Sequence, residues 1–261
     1  MLSTDLLHHY RRLGDSLFTV IDLETTGGNS QSDRITEIAV VRGTLASGVQ
    51  ERLSHLMNPQ TDIPEKIIRL TGITPAMVRE APTAAKILPQ YRSWLEGGIL
   101  TGHNVAFDYG FLQAEFARQQ QPFSRPAHQR LCTVQLSRLM LADLPSRRLF
   151  KLVKHFQFEV GPAHRAAADA EACWLLLAHL LKDILKKKDA SLLQRFRREW
   201  IPLRIAAKLL GCTCEEGFDL LRKADVPYRL SGRSTHKTPM YRRGPVEDVV
   251  CNLQGIQLSL V

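Results

Sequence analysis

The sequence has no apolar run long enough to cross a bilayer. Its longest, Trp174 to Leu181, contains a histidine and falls far short of the roughly 20 apolar residues a spanning helix needs. A membrane partner is not expected. The opening MLSTDLLHHYRRLGD has no basic start, no apolar core and no small-residue cleavage site, so no secretory signal is expected. Cysteine is sparse: five residues, scattered at 132, 173, 212, 214 and 251. An odd, scattered set argues against a disulfide framework and for a reducing, cytoplasmic setting. Cys212-x-Cys214 lacks a second pair of ligands at zinc spacing and reads as ordinary buried thiols. There is no internal repeat and no low-complexity block. What is present is globular: 261 residues, 44% hydrophobic and 23% charged, which excludes a wholly disordered chain and suits one large domain or two unequal ones.

The net charge of +9 is unevenly placed. Residues 1–185 carry 20 Lys and Arg against 18 Asp and Glu, whereas residues 186–261 carry 15 against 8. A basic last third suits a polyanion such as nucleic acid, or is a solvated surface that aids solubility. Periodicity predicts strands over 16–24, 34–46, 51–57 and 98–102. Helices are expected over 64–70, 83–96, 105–119, 133–142, 148–156 and 166–186. This order gives an α/β class around a mixed sheet. A first domain is expected over 1–186, a basic linker and helix over 187–202, and a small basic domain over 203–261. In the last, short helices over 203–210 and 214–224 precede a β-ribbon over 226–243.

Three motifs carry the chemistry. In Asp22-Leu23-Glu24-Thr25-Thr26-Gly27 the two acids are two apart on a strand and leave the same face at its C-terminal end. Alone, they could be surface acids where a strand ends. In Gly102-His103-Asn104-Val105-Ala106-Phe107-Asp108 a strand passes into a helix whose first turn carries Asp108; alone, Asn104 is an N-cap and Asp108 a favourable acid near a helix N-terminus. In His164-Arg165-Ala166-Ala167-Ala168-Asp169-Ala170 small residues open a long helix and let it lie close to the sheet, and a lone histidine is usually structural. Together, Asp22, Glu24, Asp108 and Asp169 come from strand ends and helix starts, which line a crevice in an open α/β sheet. Four acids there cannot all ionise cheaply. Two divalent cations would offset them, and all-oxygen ligation favours Mg²⁺ or Mn²⁺. Paired ions about 3.5–4 Å apart are a standard device for phosphodiester hydrolysis. Histidine, with an ordinary pKa of roughly 6.5, suits His164 to take a proton from the attacking water.

These motifs, with the connecting stretch NPQTDIPEKIIRLTGITPAMVREAPT, resemble those of the DEDDh 3′–5′ exonucleases, especially the proofreading epsilon subunits and exonuclease domains of bacterial replicative polymerases. The resemblance covers residues 16–185. It implies a ribonuclease H-like fold, a mixed five-stranded sheet flanked by helices, with strand 34–46 antiparallel to strand 16–22. It implies that Asp22, Glu24 and Asp169 hold one ion, that Asp22 and Asp108 serve a second, and that His164 is the general base. It further implies that Thr25 and Thr26 bind the 3′-terminal nucleotide, that Leu23 packs on its base or sugar, and that His103 and Asn104 support the substrate strand and the second motif. The implied reaction releases nucleoside 5′-monophosphates from DNA 3′ ends, in proofreading or repair. Related enzymes trim RNA or short oligoribonucleotides, and a DNA-binding or replisome adaptor is a further alternative.

The C-terminal region resembles an excisionase or MerR-type helix-turn-helix with a wing. Glu215 and Glu216 at the start of its second helix would face phosphate poorly. Arg229, Arg233, His236, Lys237, Arg242 and Arg243 on the ribbon are the candidates for phosphate contact. The closing Gln257-Leu258-Ser259-Leu260-Val261 resembles the bacterial sliding-clamp pentapeptide, with Gln257, Leu258 and Leu260 as its anchors and Val261 as a departure. The clamp or a polymerase subunit are therefore the expected protein partners.

Overall fold

Residues 18–25 open on an apolar and β-branched run, Phe18 to Ile21, that a strand covered on both faces needs, turn polar towards their C-terminal end, and form the middle of the main sheet. The computed structural model of the chain describes residues 1–232, 237–253 and 255. The elements run α1 (Ser3–Arg12), β1 (Phe18–Thr25), β2 (Ile35–Thr44), β3 (Gly48–Leu56), α2 (Glu65–Thr71), α3 (Pro75–Val78), α4 (Ala84–Glu96), β4 (Ile99–Gly102), α5 (Val105–Arg118), β5 (Arg130–Cys132), α6 (Thr133–Met140), α7 (Leu149–Phe156) and α8 (Ala166–Lys186). They continue as α9 (Asp189–Arg197), β6 (Trp200–Pro202), α10 (Leu203–Leu210), α11 (Cys214–Lys223), β7 (Tyr228–Ser231), β8 (Thr238–Arg242) and α12 (Arg243–Leu253). No described helix is long and apolar enough to cross a membrane.

The main sheet has the order β3-β2-β1-β4-β5. β1 pairs antiparallel with β2 and parallel with β4, so the sheet is five-stranded and mixed. Strand alternation sorts its residues into two faces. Ile21, Leu23, Ile38 and Val40 lie in a core with Ile87, Leu88 and Tyr91 of α4 and Phe111, Leu112 and Phe116 of α5. The opposite face carries Asp22 and Glu24, with Ala39 and Glu37 as their partners on β2. On this side Phe18 meets Trp174 of α8 edge-on at 6.4 Å. Gly43 makes that approach possible, since a Cβ there would come within 2.9 Å of the Trp174 ring.

Contacts gather the chain into two compact units whose limits differ from the sequence-based division. The larger takes Gly14–Gln135 and Ser146–Leu180; the smaller takes Met1–Leu13, Leu136–Pro145 and the chain from Leu181. Polar anchors explain why α1 joins the smaller unit: Ser3 donates its N–H and hydroxyl to Glu247, at 2.7 and 2.9 Å, and Arg11 donates to the Lys187 carbonyl and pairs with Asp189. The smaller unit also holds a three-stranded sheet, β6-β8-β7, whose inner face supplies Ile201 and Tyr241 to a core with Ala206, Leu221 and Val246. Sequence periodicity alone does not reveal α1, α3, β5, β6 or α12. β5 and β6 have three residues each, too few to show a period. The cysteines are free, and Cys214 is exposed rather than buried.

Candidate active site

Asp22 and Glu24 leave β1 on the α8 side, at the end where the strand runs out into the Thr25-Thr26-Gly27 turn. The β1–β2 register shifts between Glu24 and Thr25, an irregularity of the kind that re-aims side chains beside functional sites. Asp108 enters from the first turn of α5 and is buried. Gly102 leaves room for it: a Cβ there would lie 3.2 Å from the Asp108 carboxylate. Asn104, which starts α5, has a left-handed backbone with φ 87°. Its side chain caps nothing, so the N-cap bond expected of it is absent.

Asp169 comes from the start of α8. It accepts the His164 backbone N–H at 3.1 Å. His164 also has left-handed backbone geometry, φ 62°, which costs a non-glycine residue about 1–2 kcal/mol. Glu37 secures the next residue. This buried acid, opposite Glu24 in the β1–β2 register, accepts two bonds from the Arg165 guanidinium, at 2.9 and 3.2 Å, and the Ala166 N–H at 3.0 Å. Glu37 and Arg165 are not among the residues the sequence motifs single out. The available signal was an acid at the covered position of the strand ITEIAVV, which needs a cation.

The acids impose a shared electrostatic cost. Burial first, then the charges of Asp108, Asp169, Glu24 and Glu37, hold the Asp22 carboxyl well above the usual carboxylate range. Glu24 is pushed up to about 8 by burial and by Asp169, Glu37 and Asp108, with Arg165 opposing. Burial raises Asp108, against hydrogen bonds from its own backbone N–H and that of Leu23. Asp169 is also raised by burial, against the hydrogen bond and charge of His164. Ligand atoms of Glu24, His164 and Asp169 lie within 4.8 Å of one another. Converging oxygen donors that resist ionising beside one another fit a divalent cation, which would favour their charged forms. Asp22, Glu24, Asp108 and Asp169 are the residues that would hold it.

The residues expected to touch substrate are placed differently. Leu23 points into the core, because alternation puts it on the face opposite Asp22 and Glu24; its side chain is a packing residue and not a nucleotide contact. Thr25 donates its hydroxyl to the Gly27 carbonyl at 2.6 Å, and Thr26 accepts the Arg34 N–H at 3.0 Å, so both hydroxyls brace the turn. Arg34 is anchored in turn by the buried Glu115 of α5, at 2.6 and 3.1 Å. His103 Nε2 lies 2.7 Å from the Arg147 carbonyl and Nδ1 2.9 Å from the Thr133 hydroxyl. A carbonyl only accepts, so Nε2 carries the proton and both nitrogens are occupied. Burial lowers the His103 pKa, which keeps the ring neutral. His103 therefore ties the second motif to the segment before α7 rather than gripping a strand. Asn104 is exposed.

The family model described as Exonuclease, RNase_T, matches residues 19–177. The chain belongs to this exonuclease family. Its domain is that of a 3′–5′ exonuclease. The exonuclease domain is 33% identical over 173 residues to the DNA polymerase III subunit epsilon of Aquifex aeolicus, a match covering 65% of this chain and 83% of that protein. It is 35% identical over 184 residues to the DNA polymerase III PolC-type of Oceanobacillus iheyensis, which covers 70% of this chain but only 13% of that protein's length. The fold is also that of E. coli exonuclease I, solved in complex with a dT13 oligonucleotide, with a TM-score of 0.57 and 24% identity over 63% of this chain and 41% of that one. Members of the exonuclease family typically use divalent metal ions, in keeping with the donor set.

The basic candidates outside the exonuclease domain separate into three groups. Arg229 and Lys237 are exposed, and Arg242 is half-buried. Arg243 is buried and paired with Glu199 at 2.7 Å and Glu247 at 3.5 Å, so it is a structural ion pair and not the phosphate contact expected of it. Arg233, His236, Gln257, Leu258 and Leu260 lie outside the described residues. Glu216 closes a capping box with Thr213, accepting the Thr213 N–H at 2.8 Å, which gives the start of α11 an acid for helix capping.

Proposed function

We propose that the chain removes nucleoside 5′-monophosphates from DNA 3′ ends, in proofreading or repair. The observation that carries this reading is the convergence of Asp22, Glu24, Asp108 and Asp169, with His164 beside Glu24 and Asp169. The hard oxygen donors of Asp22, Glu24, Asp108 and Asp169 would suit a pair of Mg²⁺ or Mn²⁺ ions, which when bound would supply Lewis acidity for activating water and offsetting charge on the leaving oxygen. The protein's own groups do the rest. Asp22, Glu24, Asp108 and Asp169 fix the charge pattern against which the scissile phosphate is aligned. His164 takes the proton of the attacking water at its imidazole. The His164–Asp169 bond and the Arg165–Glu37 pair hold that ring's backbone in its left-handed turn. Asn104, exposed at the start of α5, is available to the substrate strand.

DNA is favoured over RNA by the DNA polymerase III relatives and by the basic C-terminal region, for which a winged-helix-like arrangement of α10, α11, β7 and β8 is part of the proposal. A DNA polymerase subunit or the sliding clamp are the protein partners this reading suggests. The test is a 5′-labelled DNA strand competing with an RNA of the same sequence in one reaction. The expected result is a DNA ladder shortening from the 3′ end only with Mg²⁺ or Mn²⁺, with 5′-monophosphates as product. Faster loss of the RNA would move the assignment to RNA trimming, and shortening in EDTA would refute the mechanism.

A further inference from the structure

The three-stranded sheet of the smaller unit has one face in the core and an outer face opposite it. The register sets which residues share the outer face. Trp200 lies opposite Arg242, and Arg229 opposite Met240. Directly paired residues point the same way and neighbours alternate. Trp200, Arg229, Met240 and Arg242 therefore stand together, away from Ile201 and Tyr241, which belong to the core.

On this face both arginines stack on the same indole. The guanidinium carbons of Arg229 and Arg242 lie 4.1 and 4.3 Å from the Trp200 ring centroid, well inside cation–π range. Neither arginine has an ion pair among the described residues. Arg242 donates to the Arg198 carbonyl, and the Asp143 carboxylate is paired with the Arg198 guanidinium at 2.8 Å. Burial lowers the Arg242 pKa; the charge of Asp143 opposes this, and those of Arg198 and Arg229 add to it. Stacking by its flat face leaves the in-plane N–H donors of a guanidinium free for anion oxygens in a fork geometry.

We propose that the Trp200 face is a second nucleic-acid contact, in which Arg229 and Arg242, held flat on the indole, grip backbone phosphates without reading sequence. This rests on the exonuclease reading for the choice of polyanion: the same chain already binds a nucleic-acid end, and a second contact on that strand raises its effective concentration. The half-buried Met240 side chain beside the exposed Arg229 adds an apolar surface that suits sugar faces. The surrounding residues 186–261 have nearly twice as many basic as acidic side chains, 15 against 8.

The test uses the full chain with Asp22→Asn, so that strands are not degraded, and compares it with the same chain also carrying Arg229→Ala and Arg242→Ala. Binding to a single-stranded DNA, its duplex and an RNA of the same sequence is measured across a salt series. Each lost phosphate contact lowers the salt slope by roughly 0.7–0.9, so a slope shallower by about 1.5 and at least tenfold weaker binding at low salt are expected in one arm or more. The arm with the largest change names the form of nucleic acid gripped. Arg229→Glu alone, on an exposed edge strand, should weaken the same arm and guards against misfolding of the double variant. Unchanged slopes and affinities in all three arms would overturn the proposal. Metal-supported hydrolysis of a dinucleotide by the unaltered chain reports separately on the exonuclease reading.

Discussion

At the scale of single residues, the account turns on acids that oppose one another's ionisation. Glu24 carries its cost visibly, raised from 4.5 to about 8. A carboxyl whose folded pKa is raised favours the folded state while protonated. Its contribution is fully present below the unfolded pKa and is lost as pH climbs through the folded one. In EDTA, the melting temperature of the unaltered chain should therefore fall relative to that of Glu24→Gln as pH rises from 4.5 towards 8. Parallel melting curves across that interval would contradict the electrostatic picture. His164→Ala should lower kcat on DNA by about 10²–10⁴-fold, the usual contribution of a general base. Steady-state rates at saturating metal check this, and near-normal kcat would remove His164 from proton transfer. The acids were legible in the sequence because two-residue spacing on a strand and placement at helix starts have direct geometric meaning. The same spacing should have excluded Leu23 as a nucleotide contact, since it necessarily points away from its neighbours.

At the scale of elements, two buried acids do what no motif announced. Glu37 clasps Arg165 and the first N–H of α8, and so fixes where Asp169 and His164 stand. Glu115 holds Arg34 and, at 3.1 Å, Arg118, bracing the turn that follows β1. Such residues are hard to read from sequence because their meaning lies in a partner far along the chain; Glu37 and Arg165 are separated by 128 positions. Arg165→Gln should reduce kcat at least tenfold while KM for DNA changes little, because the clasp positions the base and does not bind the strand. The accompanying loss of stability should be about 1–3 kcal/mol, limited by the partial exposure of Arg165. A kcat within twofold of normal would make the clasp merely structural. The sheet itself was legible as β-branched runs with turn residues between them. β5 and β6 were not, being too short for a period.

At the scale of the whole molecule, a charge count proved a poor guide to which cations are free. The basic excess of residues 186–261 is real, yet Arg243 spends its charge inside the smaller unit on Glu199 and Glu247 and donates to the Met1 carbonyl at 3.2 Å. Removing it should leave Glu199 without its paired cation and Glu247 with only the more distant Arg197, at 3.9 Å. Arg243→Ala is thus expected to destabilise the smaller unit by about 3–5 kcal/mol, seen as faster amide exchange in α1 and α12, with no change in the salt dependence of DNA binding. A shallower salt slope with normal exchange would return Arg243 to the phosphate contacts. The grouping of α1 with the C-terminal elements follows from the same kind of long-range polar contact, Ser3 with Glu247, which no local pattern foretells.

The central claim is that the four carboxylates form a cation site, and calorimetric titration of the metal-free chain with Mn²⁺, in two buffers of different ionisation enthalpy, tests it most directly. The account predicts saturable binding of two ions near neutral pH, with protons released as the raised carboxyls ionise, and loss of that binding in Asp22→Asn. Absence of saturable binding, or binding that releases no proton and survives Asp22→Asn unchanged, would contradict it.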